Sequence, residues 1–412
     1  MTATPDAPIA KPGFEISQLW FDTRYRSYTF QFIALLLLIG SIAYLVSNLL
    51  TNLSNAGLNI SWDFLGDPSG YDINQRPIEY TSQSSHLRAS IVGVLNTLIV
   101  AFLACVTATF FGVVAGVLRL SKNWIVARLM SVYVEAFRNV PVLIWIIIIF
   151  SIMTVSLPGP AAYRGETPDR TMLFDMFAFT NRGIYTPKPD FMAPLFGAQG
   201  WSWLLVIAVL VGSFFGAQAL SKWATKVQNA TGNRPVIWYY TLAIWFVPVA
   251  FVLTAMGLSW SFPELRGFNF QNGIQIRGSL IALWFALAIY TGAFIAENVR
   301  AGIQAVSKGQ TEAAASLGMR PSWIMNLVVL PQALRVIIPP LISQYLNITK
   351  NSSLAIAVGY MDVTGTLGGI TLNQTGRAIE SILLLMLFYV TISLSISALM
   401  NVYNNSVKLK ER

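Results

Sequence analysis

The chain has 412 residues, 55% of them hydrophobic and only 11% charged, and its mean hydropathy is +0.58. Soluble domains carry about 25% charged residues, so this composition excludes a soluble enzyme, a disordered chain and a nucleic-acid-binding domain. The net charge of +9 then points to basic loops beside a membrane rather than to a polyanionic partner.

In chain order, residues 1–27 hold Pro5, Pro8, Pro12 and Gly13 and read as a flexible cytoplasmic tail, with no small-residue cleavage pattern of a leader. A helix needs about 20 apolar residues to cross the hydrocarbon core. Such windows run over 30–50, 90–118, 140–157, 201–220, 236–258, 279–296 and 379–402, and a weaker one over 336–358 holds Pro339, Pro340 and Lys350. Eight spans put both termini on one side. With the N-terminus inside, inner segments carry Arg24, Arg26, Arg119, Lys122, Arg128, Arg138, Lys222, Lys226, Arg234, Arg300, Lys308 and Arg320, while acidic residues lean to the outer segments. The positive-inside rule therefore predicts cytoplasmic N- and C-termini. Residues 28–87 are expected to form the first span and an outer loop, 88–403 the main transmembrane domain, and 404–412 a cytoplasmic tail. The stretches 51–87 and 158–200 are rich in Asn, Gly and Pro and read as polar outer loops.

The segment 124–137 is not a span. Ile125, Leu129, Val132 and Ala136 share one face and Arg128, Ser131 and Glu135 another, the pattern of an amphipathic helix at the inner interface. Asn139 is placed to cap the next helix, with Pro141 in its first turn. Aromatic residues near span ends, Trp20, Tyr25, Trp201, Trp203 and Trp238 among them, fit an interfacial belt.

The sequence holds no catalytic constellation. One cysteine, Cys105, excludes an intrachain disulfide, one histidine, His86, excludes a two-histidine metal site, and His86 itself is expected to be solvated in an outer loop. The dipeptide Gly-Lys is absent, so a phosphate-binding loop is excluded and any ATP and Mg must be bound elsewhere.

The most informative stretch is 297–331. Ser307 and Gln310 form an S-x-x-Q capping box, 311–317 has high helix propensity, Gly318 suits the left-handed residue after a helix, and Pro321 suits the first turn of the next. This predicts a helix of about ten residues, a sharp turn, and a helix returning to the membrane. Within it stand Glu312-Ala313-Ala314, Gly318, Val328 and Leu330-Pro331. That spacing resembles the EAA coupling-loop signature of bacterial ABC importer permeases, with Val328 where Ile is usual. The motifs at 96–98 (NTL), 133–143 (YVEAFRNVPVL), 330–341 (LPQALRVIIPPL) and 350–355 (KNSSLA) are similar to those of the polar amino acid subfamily. The resemblance covers about 88–403. The extra N-terminal helix and an insertion over about 158–277 carrying a further helix pair resemble the first permease subunit of general L-amino acid (glutamate/glutamine/aspartate/asparagine) uptake systems.

The resemblance implies an all-α integral membrane protein with a type I ABC importer permease core in the bacterial inner membrane. It also implies that the chain is a transport subunit, not an enzyme, with Glu312, Ala313, Ala314, Gly318 and Pro331 contacting ATP-binding subunits. The implied partners are two ATP-binding subunits that hold ATP and Mg, a second, homologous permease and a periplasmic substrate-binding protein; lipid surrounds the spans, and no nucleic acid is involved.

Near the weak span, Asn347, Lys350, Asn351, Ser352 and Ser353 cluster beyond prolines expected to kink or interrupt the helix. At about 1.5 Å per residue Lys350 lies roughly 21 Å beyond Val336. An intramembrane cation defaults to a function, here the lining of a substrate path; the other reading is a lysine that snorkels to the outer interface and a serine bonded to its own helix. Glu297, at the inner end of its span, is expected to face water or a partner. An ion-driven secondary transporter would instead need inverted repeats and acidic residues within the spans, and neither pattern is seen.

Overall fold

A computed structural model describes residues 18–57, 59–165 and 169–407. It divides into two compact units, Met1–Asp63 and Phe64–Arg412. Part of the expected N-terminal tail lies outside the described residues, as do 408–412.

The first unit is one long helix, α1 (Thr23–Asn55), preceded by a single turn at Gln18–Phe21. Helix therefore begins before the apolar window, because 23–29 lacks any Pro or Gly to stop it. Apolar side chains such as Leu37, Tyr44 and Leu45 are exposed around it, as a helix in lipid would present them.

The second unit is built on α2 (His86–Leu118) and α7 (Gly278–Gln304). Between them in sequence come α3 (Trp124–Asn139), α4 (Val142–Ser156), α5 (Gln199–Thr231) and α6 (Trp238–Ala255). After them come α8 (Lys308–Ser316), α9 (Leu330–Asn351) and α10 (Ala378–Val407). Seven helical segments are long and apolar enough to cross a membrane, or eight if α3 and α4, bent by 105° at Val140–Pro141, count as one broken span.

Helices α2 and α7 run parallel, and glycine sets how closely they approach. A Cβ on Gly112 would lie 2.5 Å from the Ile295 side chain and 3.0 Å from the Gly292 carbonyl; one on Gly116 would lie 2.7 Å from the Ala296 carbonyl and 2.8 Å from Val299. In a bilayer no hydrophobic drive separates helix from lipid, so close backbone packing of this kind supplies the association. The core around the seam holds Ala104, Ala108, Leu283, Leu287, Ala333 and Ile337, drawn from α2, α7 and α9. Trp284 Nε1 donates to Thr107 Oγ1 (3.0 Å), and the Thr109 and Tyr345 hydroxyls lie 2.7 Å apart, pinning α7 and α9 to α2.

Helix α3 is present as an amphipathic helix, with Ile125, Leu129 and Val132 exposed, and it packs on the protein through Val134 with Met130, Tyr133 and Phe137 against Ala115, Ala293 and Ala296. Two expectations on the helices need correction, and the side on which α3 packs was not foreseen. Aromatic reach decides this, since the Tyr133 hydroxyl donates to the Ile289 carbonyl at 2.7 Å. Asn139 ends α3 and caps nothing; Pro141 takes the N-cap position of α4 with no side-chain bond, and the working cap is Asn123, whose Oδ1 accepts from the Ile125 and Val126 amides. The prolines do not interrupt α9, which runs unbroken past Pro339 and Pro340. Its break comes at Ser352–Val358, a tight 3₁₀ stretch closed by left-handed Gly359 (φ 67°).

The stretches 158–200 and 256–277, expected as polar loops in part, instead fold into strands. β1 (Ala178–Thr180), β2 (Gly183–Thr186) and β7 (Ile274–Arg277) form one antiparallel sheet; β3 (Lys188–Phe191) pairs with β4 (Leu258–Ser261), and β5 (Glu264–Arg266) with β6 (Asn269–Gln271). Strands of three or four residues are too short for period-two patterning to register. Burial of Ala178, Tyr185 and Phe270 gives this lobe its own small core, and Tyr185 donates to Asn269 Oδ1 at 2.6 Å. Strand β7 runs directly into α7, so the lobe sits at one end of that helix and α8 follows the other.

Candidate functional site

Helix α8 and the turn after it form a short arm between α7 and α9. Ser307 occupies the N-cap with extended backbone (φ −62°, ψ 141°), but its side chain makes no capping bond; the Gln310 amide donates to the Ser307 carbonyl instead (3.1 Å). The reciprocal capping box is therefore not formed, although its residues stand where expected. Gly318 takes φ 74°, with its amide on the Ala315 carbonyl (2.9 Å) and the Met319 amide on Ala314 (3.4 Å), a left-handed helix stop. Nothing lies within 4 Å of a Cβ added there, so the demand for glycine is one of backbone conformation alone. Pro321 opens the next turn, Pro321–Ile324.

Ala314 is buried under this arm, whereas Glu312 and Ala313 face outward and Leu317 is 80% exposed at the tip. Glu312 is the fifth of nine residues in α8, past the first turn, where the helix dipole has faded. The dipole therefore gives Glu312 little support, and the carboxylate is simply presented outward. Pro331 sits half-buried in the first turn of α9, just after a widened turn at Met325–Val329; Pro331 has no amide to donate back into that turn, and Gln332 Nε2 reaches the Val328 carbonyl at 3.0 Å.

The polar cluster lies at the other end of α9. Ser343, Asn347 and Lys350 are exposed in one row, spaced four and three residues apart, and Pro339 and Pro340 continue it. The opposite side, Ala333, Ile337 and Ile348, is in the core. Among the described residues no carboxylate pairs with Lys350. Asn351 ends the helix half-buried. Ser352 is buried and donates to the Thr349 carbonyl (2.8 Å), and Ser353 donates to Lys350 (2.8 Å). The structure thus brings Asn347 and Lys350 together on one open face, while Ser352 and Ser353 serve their own backbone.

Other residues take places that periodicity does not reveal. His86 is not solvated: it opens α2 with 3% exposure and its Nδ1 lies 3.0 Å from the Thr371 hydroxyl. The reason is the segment before it, whose Ile73 and Tyr80 pack over Ala89 and Val92. The Tyr71 hydroxyl meets Thr371 as well, and burial pushes that phenol up to about 12. Asn96 of the NTL motif donates to the Gln75 and Met361 carbonyls (2.9 and 2.8 Å), and Thr97 accepts from the Val363 amide (3.1 Å). These bonds fasten the loop that follows the α9 break onto α2. Glu297 is partly exposed and is ion-paired with Arg119 and with Arg300. For the glycine seam the sequence held only an ambiguous signal: Gly112 and Gly116 stand in G-x-x-x-G spacing inside an apolar run, but so do Gly212 and Gly216, which pack against almost nothing.

Residues 233–409 match the family model described as binding-protein-dependent transport system inner membrane component. A glutamate/glutamine/aspartate/asparagine transport system permease protein of Rhodobacter capsulatus is 50% identical, over 100% of both chains. The chain belongs to this permease family. A putative amino-acid ABC transporter permease of Escherichia coli is 41% identical over 94% of this permease and 95% of its own length, and a general L-amino acid transport system permease of Rhizobium johnstonii is 39% identical over 100% and 99%. With a glutamate/aspartate import permease of Escherichia coli, 31% identical, the match covers only 56% of this permease but 95% of the relative.

Proposed function

We propose that this chain is the membrane-spanning permease of an ATP-driven importer of L-amino acids of the glutamate, glutamine, aspartate and asparagine class, with ATP hydrolysed on separate subunits. The substrate class rests on the full-length identity to permeases so named. Its partners on this reading are a pair of ATPase subunits that carry ATP and Mg, a second, homologous permease and a substrate-binding protein outside the cell. Both termini and α8 face the cytoplasm, as the distribution of Lys and Arg favours. The strand lobe then faces the periplasm.

The observation that carries the coupling role is the shape of the α8 arm. It projects small Ala313 and bare Leu317 beside an outward Glu312, behind a glycine-closed turn, so a partner cleft can take the tip and pair the carboxylate. Movement of an ATPase pair would be passed through this contact to α7 and α9, which it joins, and so to the access of the path. The path itself runs along the open face of α9. A polar row on a membrane helix is stable only against water or protein, and Asn347 and Lys350 would meet the carboxylates of the substrate there, with Asn351, Ser352 and Ser353 shaping the end of the helix.

The test is uptake at equal membrane abundance. Glu312→Lys and Gly318→Asp should each abolish transport and weaken association with the ATPase subunits; normal uptake in both overturns the coupling role. Lys350→Met should reduce uptake in an intact complex, and a silent substitution removes Lys350 from the path. Orientation is checked with a cysteine at Lys226 in a Cys105-free variant: a membrane-impermeant reagent applied to intact cells should leave it unlabelled.

A further inference from the structure

At the end of the α2–α7 seam nearest α8, charge is added to the packing. Beyond Gly116 the next turn of α2 ends in Arg119, whose side chain is 11% exposed and pairs with Glu297 of α7. The other carboxylate oxygen of Glu297 is held by Arg300, and Arg300 Nη1 donates to Gln304 Oε1 at 2.6 Å. Gln304 is the last residue of α7, and only 305–307 separate it from α8. A continuous run of charge-assisted bonds therefore leads from the C-cap of α2 to the hinge of the α8 arm.

We propose that Glu297 is a positioning residue for coupling, the pivot of a strap that makes the foot of α7, and with it the angle of α8, move as one with α2. Three features support this over a merely stabilising ion pair. The seam is already closed by the glycine contacts, so the strap is not needed to bring α2 and α7 together. Its members point along the chain toward α8, not across to a fourth helix. Both arginines serve one carboxylate, so loss of that single charge frees both cations at once, while loss of either arginine leaves the carboxylate one partner. Without Glu297 the α8 arm could follow an ATPase while α2 and the core stay behind, and hydrolysis would proceed without moving substrate. The inference rests on the coupling role proposed for α8.

The test uses the whole importer, permease pair, ATPase subunits and binding protein, reconstituted in liposomes with glutamate as the probe. The quantity read is glutamate imported per ATP hydrolysed, which a structural defect that only removes complexes from the membrane does not move. Glu297→Gln should lower this ratio by roughly tenfold, as expected when a charge-assisted hydrogen bond is lost from one of two coupled states. Arg119→Glu combined with Glu297→Arg should restore part of it. An unchanged ratio in Glu297→Gln overturns the proposal. If Glu297→Gln fails to assemble, Gln304→Ala, at the far end of the strap, replaces it: a lowered ratio supports the strap and an unchanged ratio overturns it. Gly318→Asp, measured in parallel, separates the two ideas. If it retains full transport the coupling role of α8 fails; if it loses transport while Glu297→Gln keeps its ratio, only the strap fails.

Discussion

The α2–α7 pair and the α5–α6 pair are both apolar and both reach the same strand lobe, α7 directly after β7 and α5–α6 between β3 and β4, yet they are held by different means. In α2 and α7 the contact is backbone against backbone: Gly112 and Gly116 admit Ile295, Ala296 and Val299, and a third glycine, Gly302, admits Ile337 of α9. In α5 and α6 the glycines are idle. Gly212 has nothing within 4 Å of an added Cβ, and Gly216 meets only the Ile244 methyl at 3.3 Å. This pair is joined by its large side chains, Phe214 against Trp245, and anchored at one end by Phe191, Val206 and Met256, which tie it to β3 and β4. The lesson is that hydropathy marks both pairs as spans and both carry G-x-x-x-G spacing, at 112/116 and at 212/216, so only the packing shows which pair is the scaffold. The second reads as a pair whose outer faces are open to lipid, with Phe215, Phe246, Val247 and Phe251 exposed.

This contrast can be broken at its strongest point. Gly116→Leu should displace α7 and destabilise the permease by about 3 kcal/mol or more, because backbone and Val299 lie where the new side chain must go; Gly212→Leu should be silent. The folded fraction after mild heating in detergent, followed by size-exclusion chromatography, measures both, and equal loss in the two variants would dissolve the distinction.

A somewhat smaller effect is expected where the seam helix carries polar fastenings. Asn96→Leu removes two hydrogen bonds to carbonyls and should destabilise by about 2–3 kcal/mol. The loss should be visible as faster hydrogen exchange across 359–363, with the α5–α6 pair unchanged.

The lobe that joins the two pairs offers a sharper probe. Gly183 has φ 127° and sits against the Ile276 carbonyl and Arg277 Cα, so Gly183→Ala should unseat β2 from β7 and cost about 1–3 kcal/mol. Limited proteolysis should then cut near 178–186 while the helices stay intact; an unaltered digest would mean that β2–β7 pairing does not hold the lobe.

The smallest difference separates two caps. Asn123→Ala loses the side-chain bonds that start α3 and should lower stability by about 1 kcal/mol. Ser307→Ala loses no such bond and should lie within the error of the same thermal measurement.

Much of the α8 arm was legible in the primary structure because its signals are local. Gly318 readily turns left-handed, Pro321 suits the first turn of a helix, and the alanines before Gly318 favour a helix. The polar character of 347–353 was legible too. The side it faces was not, since the prolines suggested a break that the tertiary structure does not make: α9 keeps its course because its Ala333, Ile337 and Ile348 face is locked into the core on either side of Pro339-Pro340. The burial of His86 and the ion pairing of Glu297 were not legible for the same reason: each has a partner far along the chain, Thr371 in one case and Arg119 in the other.

Sequence by itself thus determined the order of the apolar segments, the arm between α7 and α9, and the membership of the permease family, all of which follow from composition and from rules reaching a few residues. Tertiary structure alone decided which helices touch, which face of α3 is buried, and that short strands close the lobe onto α7. The physical reason lies in the membrane solvent. A span is apolar on every side, so no amphipathic stripe announces the packed face. The choice is made instead by glycines that let two backbones meet and by the few polar side chains that must find partners across the fold.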